Sequence, residues 1–447
     1  MNPPLIRFDA RAVADGAGLC ASPGSLLVRF DHPRIAHRAM LLAAGATGEV
    51  PRHPDARAAR VVSLPNSILI PGLVNAHTHL DLTHIGPQPH DPAAGFVSWV
   101  DLIRARRAAT DEEVAASVRR GIELSLAGGA VAVGDIGGVM PPGRLTLTPW
   151  RVLRESPLLG VSYVEFFAIG RTVESRIEAV GRVLAEAAGE VGSGGEQARL
   201  GLQPHAPYSV GLRAFRWAVE VAARHDLPLC THLAETPEER RFIAAAEGPQ
   251  RALLERVGVW EEGILTEIGR GLHPVAHLAE ILAVRRFTVA HVNDADDAAI
   301  ETLARTGTSV VYCPRASAYF GAPGHFGPHR YREMLEAGVP VALGTDSVVN
   351  LPEPVSSLGV LDEMRLLHAR DGTPPEVLLR MGTVHGALAL GLPADEFIFK
   401  GRSGGWVAGI VRVDLEMAGP SAGGDALGAM MRGTGRPSLL SGEISSD

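Results

Sequence analysis

The chain has 447 residues, of which 46% are hydrophobic and 21% charged, and a formal net charge of -8. That length exceeds one compact layer pair and suits one large barrel with a small accessory domain. The acidic balance argues against a nucleic-acid partner, and no run approaches the roughly 18 uninterrupted apolar residues of a membrane span, so a small-molecule partner in water is expected.

The opening MNPPLIRFDARAVADG lacks the basic segment and continuous apolar stretch of a secretory signal, so a cytoplasmic location is expected. Residues 1–66 hold short apolar pieces, SLLVRF and ARVVSL, broken by Gly, Pro and His-Pro turns. They predict the first part of an accessory β domain of sandwich type. From SILIPGLVNAHTHL onward, short β-branched runs alternate with longer helical patterns, the signature of βα units and a parallel sheet. Strands are read at SILIPGLVNAHTH, AVAVGDIG, SYVEFFAIG, ARLGLQPHA, PLCTHLAE, FTVAHV, SVVYCPR and PVALGTDS. They define an α/β fold of the (β/α)8 TIM-barrel type over 67–394.

GLRAFRWAVEVAARH and DAAIETLART predict outer helices, VGSGGEQ near residue 191 a loop, and PEVLLRMGTVHGALALG the last helical segment. WVAGIVRVD is a strand that rejoins the N-terminal sheet, so 395–447 completes the accessory domain; its Gly-, Ser- and Pro-rich end is expected to be weakly ordered. Cys20, Cys230 and Cys313 are far apart and form no CxxC, which gives neither a disulfide framework nor a thiolate zinc site. They read as small core residues.

His77 and His79 form a His-x-His at the end of an apolar strand, where the period of 2 puts both imidazoles on one face. Neutral imidazole suits zinc or iron. A bare His-x-His is more often two polar residues at a strand end. His232 closes PLCTHLAE and Asp346 closes PVALGTDS, so three strand ends offer four donors of a His3Asp sphere. Glu235, three residues past His232, is placed to act as general acid and base, whereas Glu238 and Glu239 read as solvated. His291 ends FTVAHV and is placed to orient the attacking water or shuttle a proton, against the alternative of a buried structural His. His205, in QPHAPYS, is read as facing the substrate.

PGLVNAHTHL, QPHAPYS, THLAET, VAHV, YCPRA and ALGTDS together resemble the successive motifs of the cytosine/adenosine-deaminase-related branch of the amidohydrolase superfamily. That branch includes deaminases of adenosine derivatives, guanine deaminase and triazine chlorohydrolases. The resemblance runs over most of residues 60–390. It implies His77, His79, His232 and Asp346 as metal ligands, Glu235 as proton shuttle, His291 as the second catalytic residue and His205 as a substrate contact. GFVSWVDLIRARR and CPRASAYFG look most like aminodeoxyfutalosine deaminase-like members. The chain departs from the pattern at Asp81, where many relatives show Glu, and at VVNLPEP after Asp346, where a Ser-Asn pair is commoner.

Lys400 is the single lysine and lies beyond the barrel, so a binuclear site bridged by a carboxylated lysine is excluded. Glu165, in SYVEFFAIG, is the one conceivable carboxylate bridge. Trp99 is read as a wall of the substrate pocket, against a buried helix aromatic. Arg315 is read as a contact for a carboxylate or sugar hydroxyl, against a surface arginine. The expected function is a metal-dependent aminohydrolase that deaminates a purine-like heterocycle, with one divalent ion, zinc or iron, activating the water. The alternatives are a hydrolytic dechlorinase and a catalytically silent barrel scaffold. A homodimer or larger homo-oligomer is expected from the resemblance.

Overall fold

The computed structural model describes residues 5–32, 35–190, 197–401, 404–415 and 425–442. The chain starts with β1 (Leu5–Ala14), β2 (Gly24–Arg29), β3 (Ala39–Ala46) and β4 (Arg60–Pro71). In β1 the side chains alternate: Ile6, Phe8 and Ala10 are buried while Arg7 and Asp9 are partly exposed, as a strand with one face on a core requires. β1 pairs antiparallel with β2 and parallel with β4.

The barrel follows as β5 (Leu73–Thr78), β6 (Ala130–Gly137), β7 (Leu159–Phe166), β8 (Ala198–Pro204), β9 (Cys230–Leu233), β10 (Thr288–His291), β11 (Ser309–Tyr312) and β12 (Val341–Leu343). Neighbours pair in parallel as two arcs, β5–β6–β7–β8 and β9–β10–β11–β12. The arcs meet at two parallel seams, Leu202 with Leu229 and Thr78 with Asp346. Asn75 and Thr345 lock the second seam by a reciprocal pair of buried hydrogen bonds, 2.8 Å from Asn75 Nδ2 to Thr345 Oγ1 and 3.0 Å from Thr345 N to Asn75 Oδ1. Parallel strands covered on both faces read as continuous apolar runs, which is why all eight were visible in the sequence.

Two boundaries differ from the expectation. SILIPGLVNAHTH is two strands, because Gly72 turns the chain between the accessory sheet and the barrel and a Cβ there would lie 2.4 Å from Val131 Cγ2. PEVLLRMGTVHGALALG breaks into Pro375–Arg380 and Gly386–Leu390 around a wider turn at Met381–His385. Helices Leu212–His225 and Asp297–Thr306 fall where their periodicity placed them.

After the barrel, β13 (Gly405–Val407) pairs with β3 and β14 (Ile410–Asp414) with β4. The expected return to the N-terminal sheet is thus made by two pieces, separated at Gly409, where a Cβ would meet Val131 at 2.6 Å. The sheet order becomes β13–β3–β2–β1–β4–β14–β15, with β15 (Pro437–Leu439) at its edge. The weak order expected of the C-terminal end is corrected over 425–442. Helix Ala426–Arg432 is capped by Asp425, buries Met430 and Met431, and is held by Arg365, which donates to Met430 O at 3.2 Å and Gly435 O at 2.7 Å. Composition hid these anchors; the rest of that end, and residues 191–196 of the VGSGGEQ loop, lie outside the described residues. Cys230 and Cys313 are buried as expected, but Cys20 is exposed, on a two-residue strand at the rim of the accessory sheet. Among the described residues no helix is long and apolar enough to cross a membrane.

Candidate metal centre and active site

The C-terminal ends of the barrel strands gather the polar residues that the sequence singled out. His77 lies in β5 and His79 just after it; Asp346 follows β12 across the seam. The backbone zips the three together, with His79 N donating to Asp346 O at 2.8 Å and Asp346 N to His77 O at 3.0 Å. Asp346 takes a left-handed φ of 56°, unusual for a non-glycine residue. Its Oδ1 lies 3.6 Å from His77 Nε2 and 3.5 Å from His79 Nε2. His232, at the end of β9, brings its ring centroid to 5.0 Å from that of His77 and 5.5 Å from that of His79.

One nitrogen each of His77, His79 and His232 lie within 4.8 Å of one another, as do atoms of His77, His291 and Asp346. All five residues are buried. Neither ring nitrogen of His77, nor His79 Nδ1, has a hydrogen-bond partner, an arrangement that costs free energy unless something else satisfies them. Burial lowers His77 and His232 to about 3 and His79 and His291 well below their ordinary value. The rings are therefore neutral, the form that binds metal. His232 Nδ1 sits 3.1 Å from both the His205 carbonyl oxygen and Gln203 Nε2; with its proton on Nδ1 and given to the carbonyl, the ring keeps the Nε2 lone pair for a cation. Three imidazole nitrogens and one carboxylate oxygen are a donor set that fits a zinc-like cation.

Glu235 follows Ala234, whose φ is 52°, and this turn swings its carboxyl back so that Oε1 is 3.5 Å from His291 Nε2. Burial first, then the charges of Asp346, Glu239 and Glu238, push that carboxyl well above its ordinary range. His291 has a φ of 74°, and its carbonyl accepts from His329 Nε2 at 2.9 Å. His205 Nδ1 bonds Ser209 Oγ at 2.7 Å, and its Nε2 lies 3.8 Å from Glu165 Oε1. These groups line one side of a cavity of about 650 Å³, whose other walls include Phe96, Trp99, Met140, Phe167 and Leu254. Trp99 lines it while packing against Phe96 and Phe320.

Arg315 is corrected. It is not among the cavity's lining residues; its Nε and backbone N–H both bind the carboxylate of Glu363, which is fully buried. Glu363 needs a countercharge, and Arg315 supplies it. Arg315→Ala leaves that carboxylate alone, so a loss of about 3 kcal/mol of stability is expected, read as a lower urea midpoint with KM unchanged.

Arg107 carries no signal in the sequence. Its guanidinium lines the cavity, donating to Glu165 Oε2 and to Val139 O at 2.9 Å, and lies 3.7 Å from Asp81. It ends the helix Phe96–Arg106 beside Arg104 and Arg106, and nothing in the run LIRARR distinguishes the one that turns inward. Glu165, His205 and His232 also offer atoms within 4.8 Å of one another, but Arg107 already neutralises Glu165. Tyr208 also lines the cavity, its hydroxyl buried and without a partner.

An eight-stranded parallel barrel with His, Asp and Glu side chains converging at the C-terminal mouth defines a barrel hydrolase that works through a bound metal. The chain belongs to the amidohydrolase family, whose model matches residues 68–395, and is thereby a hydrolase acting on carbon–nitrogen bonds. It is similar to the aminodeoxyfutalosine deaminase of Deinococcus radiodurans, with 31% identity over 385 residues covering 84% of this chain and 83% of that one. It is also similar to the 5-methylthioadenosine/S-adenosylhomocysteine deaminase of Halobacterium salinarum, with 27% identity covering 86% and 80%. The fold matches the crystal structure of Helicobacter pylori aminofutalosine deaminase in complex with methylthio-coformycin, with a TM-score of 0.75, 17% identity and 98% of both chains covered.

Proposed function

We propose that this protein deaminates an adenosine derivative, with His77, His79, His232 and Asp346 holding one divalent cation, zinc by its donor set. The observation that carries this reading is the buried convergence of those four residues with Glu235, three of their imidazole nitrogens having no protein partner. The relatives named for adenosine-type substrates support the substrate class.

When bound, such a cation lowers the pKa of water from 15.7 to roughly 7 and so supplies a nucleophile at neutral pH. Glu235 takes the proton released from that water on its carboxylate and returns it to the ring nitrogen beside the attacked carbon. Its buried setting gives the carboxyl a high proton affinity, which suits the uptake of that proton. His291, 3.5 Å from Glu235 Oε1, holds the water on its other side. Glu235, again a carboxylate, then takes the proton of the hydroxyl now on the ring carbon and passes it to the amino group, which leaves as ammonia. His205 and Trp99 face the substrate, and the apolar walls exclude solvent.

The test is a panel of aminodeoxyfutalosine, methylthioadenosine, S-adenosylhomocysteine, adenosine, guanine, cytosine and a chlorotriazine, with ammonia and chloride recorded. Ammonia from an adenosine derivative is the expected result. Chloride alone, or no product from any adenosine derivative with metal-loaded protein, would sink the reading.

A further inference from the structure

We propose that Glu239 and Asn293 are positioning residues that fix the orientation of Glu235. The inference rests on Glu235 being the proton carrier.

Both main-chain polar groups of Glu235 are held by buried side chains from different elements. On one side, Glu239 reaches back from the helix Pro237–Ala245. Its Oε1 accepts from Ala234 N at 2.9 Å and its Oε2 from Glu235 N at 2.8 Å. On the other, Asn293, just past β10, donates from Nδ2 to Glu235 O at 3.0 Å. Asn293 is itself fixed, because its Oδ1 accepts from Ser317 Oγ at 2.8 Å. Glu239 is wholly buried, and Asn293 and Ser317 nearly so.

The backbone between them needs such support. Ala234, His291 and Val292 have φ of 52°, 74° and 51°, a region that L-residues rarely adopt and that is costly for a β-branched Val. The two turns are cross-braced beyond the ends of β9 and β10, with Val292 N donating to Leu233 O and Asp294 N to Ala234 O, each at 3.0 Å. The brace sets the separation between Glu235 and His291. A single carboxylate bridging two consecutive amide N–H groups is a specific demand: Gln at the same place has only one acceptor oxygen, and its NH2 would face an N–H. Asp in place of Asn293 would set an oxygen against the Glu235 carbonyl. Both substitutions keep volume and remove the hold.

The experiment compares E239Q, N293D and E235Q with the natural protein, each loaded with zinc, on methylthioadenosine, together with binding of methylthio-coformycin. In E239Q and N293D, kcat is expected to fall about 10²-fold, the cost of misplacing a reacting group by about 1 Å. Metal content stays the same and KM within about threefold. Affinity for the coformycin, which resembles the tetrahedral state, falls in step with kcat/KM, a readout that general loosening of the fold would not move selectively. If E239Q does not fold, N293D carries the test from the opposite strand. Unchanged kcat in folded, metal-loaded variants overturns the proposal; so does loss of zinc, which would place both residues under the ligand sphere, or a rise in KM alone. An active E235Q means instead that the reading of Glu235 has failed.

Discussion

Glu235→Gln is expected to lower kcat by about 10³–10⁴-fold, at the upper end of what a positioned acid–base group contributes. Gln matches Glu in shape but exchanges no proton, so metal content and KM should stay near their natural values. The size of the effect follows from the isolation of this carboxyl. It is buried, and its Oε1 lies 3.5 Å from Nε2 of His291, whose ring is held neutral by burial. Parallel rate and metal measurements on the purified variant decide the matter. A loss under tenfold with full metal content would transfer the proton step to His291.

Removing the metal should be as damaging. Chelation is expected to abolish turnover, and zinc to restore it. It should also lower the melting midpoint, because His77, His79, His232 and Asp346 come from three separate strands and the ion ties them together. At a free concentration about a thousand times its Kd, a ligand specific for the folded state contributes about 4 kcal/mol, which for a chain of this size corresponds to a midpoint shift on the order of 5 °C. Calorimetry of the apo and zinc-loaded forms measures it. Full activity at substoichiometric metal would refute the assignment of the four ligands.

Seven polar residues that meet at the barrel mouth were visible in the sequence for one reason: each stands at or just past the end of an apolar run, and in a parallel barrel those ends converge. His77, His79, His205, His232, Glu235, His291 and Asp346 were placed by that rule alone. Arg107 escaped it because it follows a helix rather than a strand; Arg315, three residues past β11, obeys it in position yet turns away from the mouth. Each swings from a helix toward a buried carboxylate far away in the chain, Glu165 and Glu363, and pairing across such distances leaves no local pattern. Glu239 was read as solvated among acidic neighbours; only the fold reveals that it turns inward to two backbone amides. The break at Gly72 was invisible because glycine between two apolar runs looks like one continuous strand. Around Met430 a glycine-rich composition masked residues that dock firmly.

The seam between β5 and β12 has a consequence for how the enzyme comes to life. Asn75 and Thr345, which close the barrel there, are 270 residues apart in the chain, and the proposed ligands flank that same joint. A chain emerging from the ribosome carries His77 and His79 early but cannot complete the sphere until β12 has been made and has docked. Chains that stop short of β12 and Asp346 are therefore expected to be silent, and turnover reports on closed barrels alone.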